Sequence, residues 1–388
     1  MVGGCVRDHL MGQPLYDWDI EVHGLASESL QELLAGSGRV SLVGKSFGVF
    51  KWRPPRWRGP EIDVSIPRRD SKVGPGHRGI RAEGDPHLSI EEASRRRDLT
   101  INSMLVDLLT EAIQDPWNGR QDLEDGVLRA VDADTFLEDP LRAIRVVQFA
   151  ARLGFHADTA LVDLCRSAAL DELPAERIWM EWRKLLLSRR PSLGFQFAET
   201  AAILDRVFPE VAGISTERVG RTLDALAASH RDGLDPVGRQ LALMLVGWLH
   251  DGPLGSVEAT LDRLGLHRLG RYDARTAVLS AVQHLSHPIA TEADLRWLAT
   301  RAEVGLVLTV RAASEDVADV MGRARALGVW EAAPAPLVQG RDLAGLGFPP
   351  GPGMGQLLRK LYAKQLEGDL TSREAALRQA AAWVAVQS

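Results

Sequence analysis

The sequence predicts an α+β chain, a small α/β domain followed by a long helical arm. Three observations lead there. Residues 1–110 alternate short β-rich runs with helical ones, bounded by Gly and Pro. From about Leu123 the strand signals fade and apolar residues recur at helical spacing. Beyond that point a helix-ending Gly or Pro falls about every 15–25 residues.

Asp19-Ile20-Glu21-Val22, Val40–Trp52 and Glu61–Ile66 read as strands, rich in β-branched or aromatic residues. Met1 stands almost on the first strand, which must be short unless the chain starts late. Ser27–Leu34 has helical spacing, with Leu30, Leu33 and Leu34 on one side. Residues 67–95, rich in Gly, Pro and Arg, read as a long mobile loop without secondary structure, which is uncommon and often functional. Further on, Ile144, Val147 and Ala151, with Leu141 and Phe155, form one helical stripe. Ile178, Trp182, Leu185 and Leu186 form another, and Leu241, Leu245 and Trp248 a third.

At 388 residues the chain has room for two or three domains of roughly 100–200 residues. Apolar residues make up 45% and charged residues 25%, the balance of a soluble globular protein, which excludes a disordered, fibrous or disulfide-scaffold chain. Cys5 and Cys165 are too few for a disulfide framework; they fit a reducing cytoplasm and read as buried apolar positions. The N-terminus lacks the basic-then-apolar order of a signal peptide, and the apolar stretch Leu241–Leu249 is too short to span a bilayer. A cytoplasmic protein without a membrane partner is expected. The net charge of −6 argues on its face against a nucleic-acid partner. Residues 51–97, however, hold twelve Lys/Arg against seven Asp/Glu, and the distribution rather than the total describes the partner.

Two segments carry chemistry. In a strand Asp17 and Asp19 project to one face while Trp18 points into the core. Two carboxylates so placed can hold a pair of Mg²⁺ ions for in-line phosphoryl or nucleotidyl transfer, and Asp63 lies in a later strand that could pair alongside. Asp-x-Asp alone fits a solvated acidic turn equally well. Gly3-Gly4 precedes Val6-Arg7-Asp8-His9-Leu10 at a strand-to-helix turn, where glycine lets the backbone approach a phosphate and Arg7 can clamp a triphosphate. Asp139 and Arg142 are three apart, so on a helix they share a face with Arg145 one turn further on. A carboxylate and a guanidinium match the amino donor and ring-nitrogen acceptor of cytosine and adenine. Guanine and uracil would set a carbonyl against the carboxylate, at a cost of roughly 1–3 kcal/mol. A solvated i,i+3 salt bridge is the alternative for that pair.

Val2-Gly3-Gly4-Cys5-Val6-Arg7-Asp8, Leu10-Met11-Gly12 and Asp17-Trp18-Asp19-Ile20 together resemble motif A of the class II tRNA nucleotidyltransferase and bacterial poly(A) polymerase family. Arg96-Arg97-Asp98 through Ser103, Asp115-Pro116-Trp117-Asn118-Gly119, Glu138-Asp139-Pro140-Leu141-Arg142 and Glu176-Arg177-Ile178 with Glu181 and Lys184 follow in the family's order. The tail resembles these enzymes more loosely, at Gly340-Arg341-Asp342-Leu343, Gly351-Pro352-Gly353 and Arg373–Leu377.

The resemblance implies a nucleotidyltransferase α/β head with a small mixed sheet (1–122), then a helical neck (123–189), body (190–285) and tRNA-binding tail (286–388). It implies CTP and ATP as nucleotides, the tRNA 3′ end as partner and two Mg²⁺ ions held by Asp17 and Asp19. Asp63 would assist an ion or orient the primer. Gly3, Gly4, Arg7, Arg97, Asp98, Asn102, Asp139, Arg142 and Arg145 would bind the nucleotide, Asp98 being suited to a ribose 2′-hydroxyl. The full-length loop at 67–95 favours competence in adding A. Four activities stay open: CCA, CC-only, A-only and poly(A) addition; Val43–Gly48 lacks the doubled basic residues of poly(A) polymerases. The rivals from other classes are a catalytically idle RNA-binding protein and an HD phosphohydrolase. Gln148 departs from the family, standing where an Arg is frequent. His250-Asp251 resembles an HD site, but Gly252-Pro253 follows it and the nearby upstream histidine is His230, so a helix-end histidine is expected.

Overall fold

The computed structural model describes residues 1–43, 48–72, 80–229 and 237–387. Two compact units divide the chain, Met1–Gly220 and Arg221–Ser388. The expected head and neck both fall within the first.

The first unit is built on a four-stranded mixed sheet. Its strands are β1 (Trp18–Glu21), β2 (Arg39–Val43), β3 (Val49–Arg53) and β4 (Ile62–Ser65), in the order β1-β4-β3-β2. β1 and β4 are parallel; the other two pairings are antiparallel. The parallel pair follows from what separates them, since α2 (Ser27–Ser37) and the β2–β3 hairpin return the chain to the starting edge. The expected single strand Val40–Trp52 is thus two strands, Arg39–Val43 and Val49–Arg53, paired antiparallel.

Alternation decides the two faces of this sheet. Trp18, Ile20, Val40, Phe50, Trp52, Ile62 and Val64 all turn to one side and form a core with Leu30 and Leu34 of α2. Leu33, expected on that stripe, is 64% exposed. Leu30 and Leu34, four apart, already fill the face that one short helix can bury. The other face carries Asp19, Asp63, Lys51, Arg53 and Arg39, none of them buried.

Residues 67–95 are more ordered than a loop. β5 (Arg68–Lys72) and β6 (Ile80–Gly84) pair antiparallel, and α3 (Ile90–Arg95) follows, capped at Ser89 by a reciprocal pair of bonds with Glu92. The charged, β-branched-poor sequence conceals the hairpin, because strand patterning looks for an apolar alternation that these residues lack. Residues 73–79 lie outside the described residues, as do 44–47 and His230.

A short 3₁₀ turn (Thr100–Asn102), a two-residue pair of β7 (Leu105–Val106) with β8 (Ile113–Gln114), and α4 (Gly119–Asp125) complete the head. The expected first strand is a single bridge, Val2 to Leu105. Helices then dominate: α5 (Ala133–Glu138), α6 (Leu141–Leu153), α7 (Thr159–Ser167), α8 (Ala175–Leu186) and α9 (Pro191–Thr200). One parallel bridge interrupts them, β9 (Val127–Leu128) with β10 (His156–Ala157), too short for any periodicity to register. Ile144, Val147, Ala151, Ile178, Trp182, Leu185 and Leu186 are buried as the stripes predict. Trp182 packs its ring on Phe195 at 5.4 Å and Phe208 at 4.5 Å.

The second unit is helical among its described residues, from Val237–Leu249 to Arg373–Gln387. Every side chain from Leu241 to Leu249 is buried, so that helix forms its core rather than one amphipathic wall. His250 follows the helix end, its Nδ1 2.9 Å from the Gly247 carbonyl and Nε2 3.4 Å from Asp251. Among the described residues no helix is long and apolar enough to cross a membrane.

Gly119, at the first turn of α4, is the tightest approach in the head. A Cβ there would sit 2.1 Å from the Thr100 carbonyl oxygen and 2.7 Å from its carbon. Backbone cannot yield as a side-chain tip does. Gly119→Ala should lower stability by about 1–3 kcal/mol through overpacking, read as a lower urea midpoint. An unchanged midpoint would mean that α4 and the Thr100 turn are not held against each other.

Candidate active site

Gly3 opens the site. It caps α1 (Gly4–Leu10) with φ +80°, a conformation that disfavours side chains, and a Cβ there would lie 2.6 Å from Arg97 Nη1 and 3.8 Å from Asp19 Oδ2. Glycine therefore lets a guanidinium and a carboxylate close over the backbone at this turn. Asp17 lies just before β1 and Asp19 within it, two apart as predicted. Asp19 is in parallel register with Asp63, which is itself opposite Lys51 and bonded to its Nζ at 2.8 Å. Burial pushes the Asp19 carboxyl up, the charges of Asp63 and Asp17 push it further, and Arg97 opposes them.

Gly4, Arg7, Asp17, Asp19, Arg97, Asp98, Asn102, Asp139, Arg142 and Arg145 all line one cleft of about 620 Å³. Gly3 and Asp63 stand outside its lining, next to Arg97 and Asp19 respectively. Nine Arg/Lys and five Asp border the cleft, a positive balance within a chain of net −6.

Asp98 joins the walls. One of its oxygens accepts from the Leu99 N–H at 2.9 Å and Asn102 Nδ2 at 3.0 Å, the other from Arg145 Nε at 2.7 Å. Asn102 in turn accepts from Arg7 Nη1 at 2.6 Å. Burial disfavours the Asp98 charge, but Arg145 and the bond from Asn102 outweigh it and hold the carboxyl at about 2. The guanidinium groups of Arg7, Arg145 and Arg152 lie 5.2, 5.3 and 6.0 Å from the ring centre of buried Phe149. Buried Gln148, in the place of the family's Arg, accepts from Arg152 Nη1 at 3.3 Å.

Asp139 and Arg142 depart from the single helical face expected. Asp139 ends α5, Pro140 breaks the helix, and Arg142 lies in the first turn of α6. Arg142 donates to the carbonyls of Thr135 at 2.8 Å and Arg96 at 2.5 Å. Arg177 of α8 grips Asp139 with a two-pronged contact, 3.3 and 3.1 Å. Glu181, buried on the same helix, accepts from Lys184 at 2.8 Å.

Sequence reasoning assigned no role to Phe149, Arg177 or Glu21. Glu21 was within reach, since the alternation that pairs Asp17 with Asp19 continues to it. Its buried carboxylate takes Arg96 Nη2 at 3.1 Å and lies 3.4 Å from His23 Nε2. Arg177 belongs to the Glu176-Arg177-Ile178 segment that resembles the family, but only the packing of α8 brings it to Asp139.

A glycine turn and paired carboxylates on a mixed sheet, facing a cationic helical wall, define a nucleotidyl-transferring class of head. Residues 1–129 match the family described as "Poly A polymerase head domain", and residues 160–214 match "Probable RNA and SrmB- binding site of polymerase A". The chain is 33% identical over 298 residues to the multifunctional CCA protein of Laribacter hongkongensis, covering 72% of this chain and 68% of that one. It is 39% identical over 218 residues to the protein of the same description from Vibrio vulnificus, with 54% and 51% covered. The chain thus spans about half the length of several curated relatives it matches. Its fold is similar to that of a Bacillus stearothermophilus CCA-adding enzyme in complex with CTP (TM-score 0.72, 23% identity, 100% of this chain and 93% of that one). It is also similar to a Thermotoga maritima CCA-adding enzyme complexed with tRNA (TM-score 0.67, 21% identity, 99% and 90%). The chain belongs to the class II tRNA nucleotidyltransferase family.

His23 supplies a pH test of the Glu21–Arg96 anchor. The bond to Glu21 raises the His23 pKa above its ordinary 6.5, against partial burial; the Leu88 carbonyl adds to the rise and the N-terminal ammonium opposes it. Protonated His23 therefore adds stability that is complete below about pH 6.5 and lost as pH rises through the raised value. The urea midpoint should fall across that window and do so less in His23→Gln. Equal slopes in both proteins would remove His23 from the anchor.

Proposed function

We propose that this chain is a template-independent RNA nucleotidyltransferase that adds C, A or both from CTP and ATP to the 3′ end of tRNA. The observation that carries this reading is the meeting of Asp17 and Asp19 with Asp139 and Arg142 in one cationic cleft. Relatives described as multifunctional CCA proteins, and similar folds solved with CTP, ATP and tRNA, support it.

The 3′-hydroxyl of the RNA attacks the α-phosphate and pyrophosphate leaves. Among the described residues no three His, Cys, Asp or Glu side chains form a complete metal cage. Mg²⁺ suits such a donor set, because it takes one or two carboxylates and completes its shell with phosphate and water. Burial chiefly raises the Asp19 pKa, and the Asp63 and Asp17 charges add a repulsion that a cation would relieve. Two Mg²⁺ ions held by Asp17 and Asp19 would lower the pKa of the attacking hydroxyl and neutralise the leaving pyrophosphate. Asp63, steadied by Lys51, orients the primer end. Gly3 and Gly4 let the triphosphate approach the backbone, with Arg7 and Arg97 beside it.

Asp139 reads the base with Arg142. Of its four lone-pair sites, Arg177 takes one on each oxygen and the Leu141 N–H, at 3.2 Å, one more. One acceptor site remains among the described residues, which suits the amino group of cytosine or adenine. Asp98 likewise keeps one site on the oxygen that Arg145 holds, suited to a ribose 2′-hydroxyl. Arg145 and Asn102 fix its direction.

Purified protein with labelled CTP or ATP should extend tRNA lacking CCA or ending in CC, and leave unstructured RNA unextended. The description of the head as a poly(A) polymerase domain favours a second reading, for which long A tails on all three RNAs would be the result. Asp17→Ala/Asp19→Ala should bind tRNA but lose at least about a thousandfold in incorporation rate, on the order of 4 kcal/mol. Retained incorporation would remove both carboxylates from the chemistry.

Asp139→Asn exchanges an acceptor-only group for one that also donates. The preference for C and A over G and U should fall by roughly ten- to a hundredfold, from about 1–3 kcal/mol of lost discrimination. Measured kcat/KM ratios for the four nucleotides that match the parent protein's would take base reading away from Asp139.

A further inference from the structure

Arg39 and Arg53 are directly opposite one another at the open end of the β2–β3 hairpin. Their Cα atoms are therefore about 4.5–5.5 Å apart, and both side chains project to the same face. Both residues are exposed, and among the described residues neither side chain makes a hydrogen bond or an ion pair. Like charges directly opposite in a sheet are destabilising, so this pair lowers the stability of the free protein.

Its position gives that pair a use. Lys51 precedes Arg53 by two residues on β3, so it shares the face, and it is opposite Asp63, which is beside Asp19. From the carboxylates outward, this face runs Asp19, Asp63, Lys51 and then the two arginines. Extending the register by one pair sets Glu61, just before β4, beside Arg53, with Asp17 beyond it, so the arginines end a row whose inner members are acidic. Strands lie about 4.8 Å apart, so the arginines begin about 10 Å from Asp63, within the span of a few nucleotides at about 3.4 Å each. The loop beyond Arg53 is pinned, with Trp57 edge-on to Trp18 at 6.2 Å and its N–H donated to the Pro60 carbonyl at 2.6 Å.

We propose that Arg39 and Arg53 grip the phosphates of the single-stranded 3′ end of the RNA as it crosses the open sheet face toward Asp19 and Asp63. The identity of the polyanion rests on the transferase reading above; the cationic track itself rests on register and exposure. Neither arginine lines the cleft, so a nucleotide bound there would not touch this pair.

The test compares the full-length parent chain with R39Q/R53Q and R39K/R53K. Binding of fluorescein-labelled tRNA ending in CC is followed by anisotropy over a range of KCl concentrations. Loss of two single-strand phosphate contacts should flatten the plot of log affinity against log salt by about 1.4 and weaken binding about tenfold near 0.1 M salt. The lysine pair should restore both, and KM for ATP should stay at the parent's value in all three. The glutamine variant should melt no lower than the parent, since it removes a repulsion. Equal salt slopes in parent and glutamine variant would overturn the proposal, as would failure of the parent to bind the RNA. If the parent binds RNA with the expected slopes but transfers no nucleotide, the transferase reading fails and the cationic track stands.

Discussion

The cleft depends on one buried carboxylate. Asp98 takes Arg145 from α6, Asn102 from the 3₁₀ turn and, through Asn102, Arg7 from α1. Three segments far apart in sequence are thereby held to one point. Removing either member of a buried pair of this kind leaves a stranded charge, at a cost on the order of 3–5 kcal/mol. The geometry of the cleft and the stability of the first unit are consequently the same question at Asp98. A site joined in this way has little freedom to open without breaking charge-assisted bonds in a low-dielectric interior.

The same economy appears at Phe149. Three guanidinium groups surround one buried ring, and each would repel the others if nothing polarisable lay between them. The ring faces draw the cations in, while Asp8, Asp98 and Gln148 accept from them at the margin. The wall therefore stays positive with Arg7 buried and Arg145 half-buried beneath exposed Arg152. A chain of net charge −6 thus builds a positive cleft wall by local arrangement.

Legibility in the sequence tracked the range of the interaction. Asp17, Asp19 and Asp63 were readable because strand alternation is local and strand pairing needs only β-rich runs. The neck stripes through Ile144 and Trp182 were readable for the same reason. Asp139 and Arg142 could be named but not placed, since Pro140 splits the helix that their spacing suggests. Arg177 stands in the family-like segment Glu176-Arg177-Ile178, but its contact with Asp139, 38 residues away, leaves no local pattern. The hairpin of β5 and β6 was hidden because its sequence is charged and polar and carries no apolar alternation.

Alternation on the head sheet links these levels. A single register sets Asp19 beside Asp63, Asp63 opposite Lys51, and Arg53 opposite Arg39, while the intervening residues bury a continuous core on α2. Slipping β3 by one residue would turn Lys51 and Arg53 into that core and Phe50 and Trp52 into solvent, so the core that stabilises the sheet also enforces the order of charges on its outer face. The carboxylates need a rigid base, and the apolar side provides it. The arginine pair gains nothing from that base in the free protein, because its repulsion is fixed by the same pairing that holds Asp63 next to Asp19. A polyanion laid along this face would turn that repulsion into attraction without moving any strand.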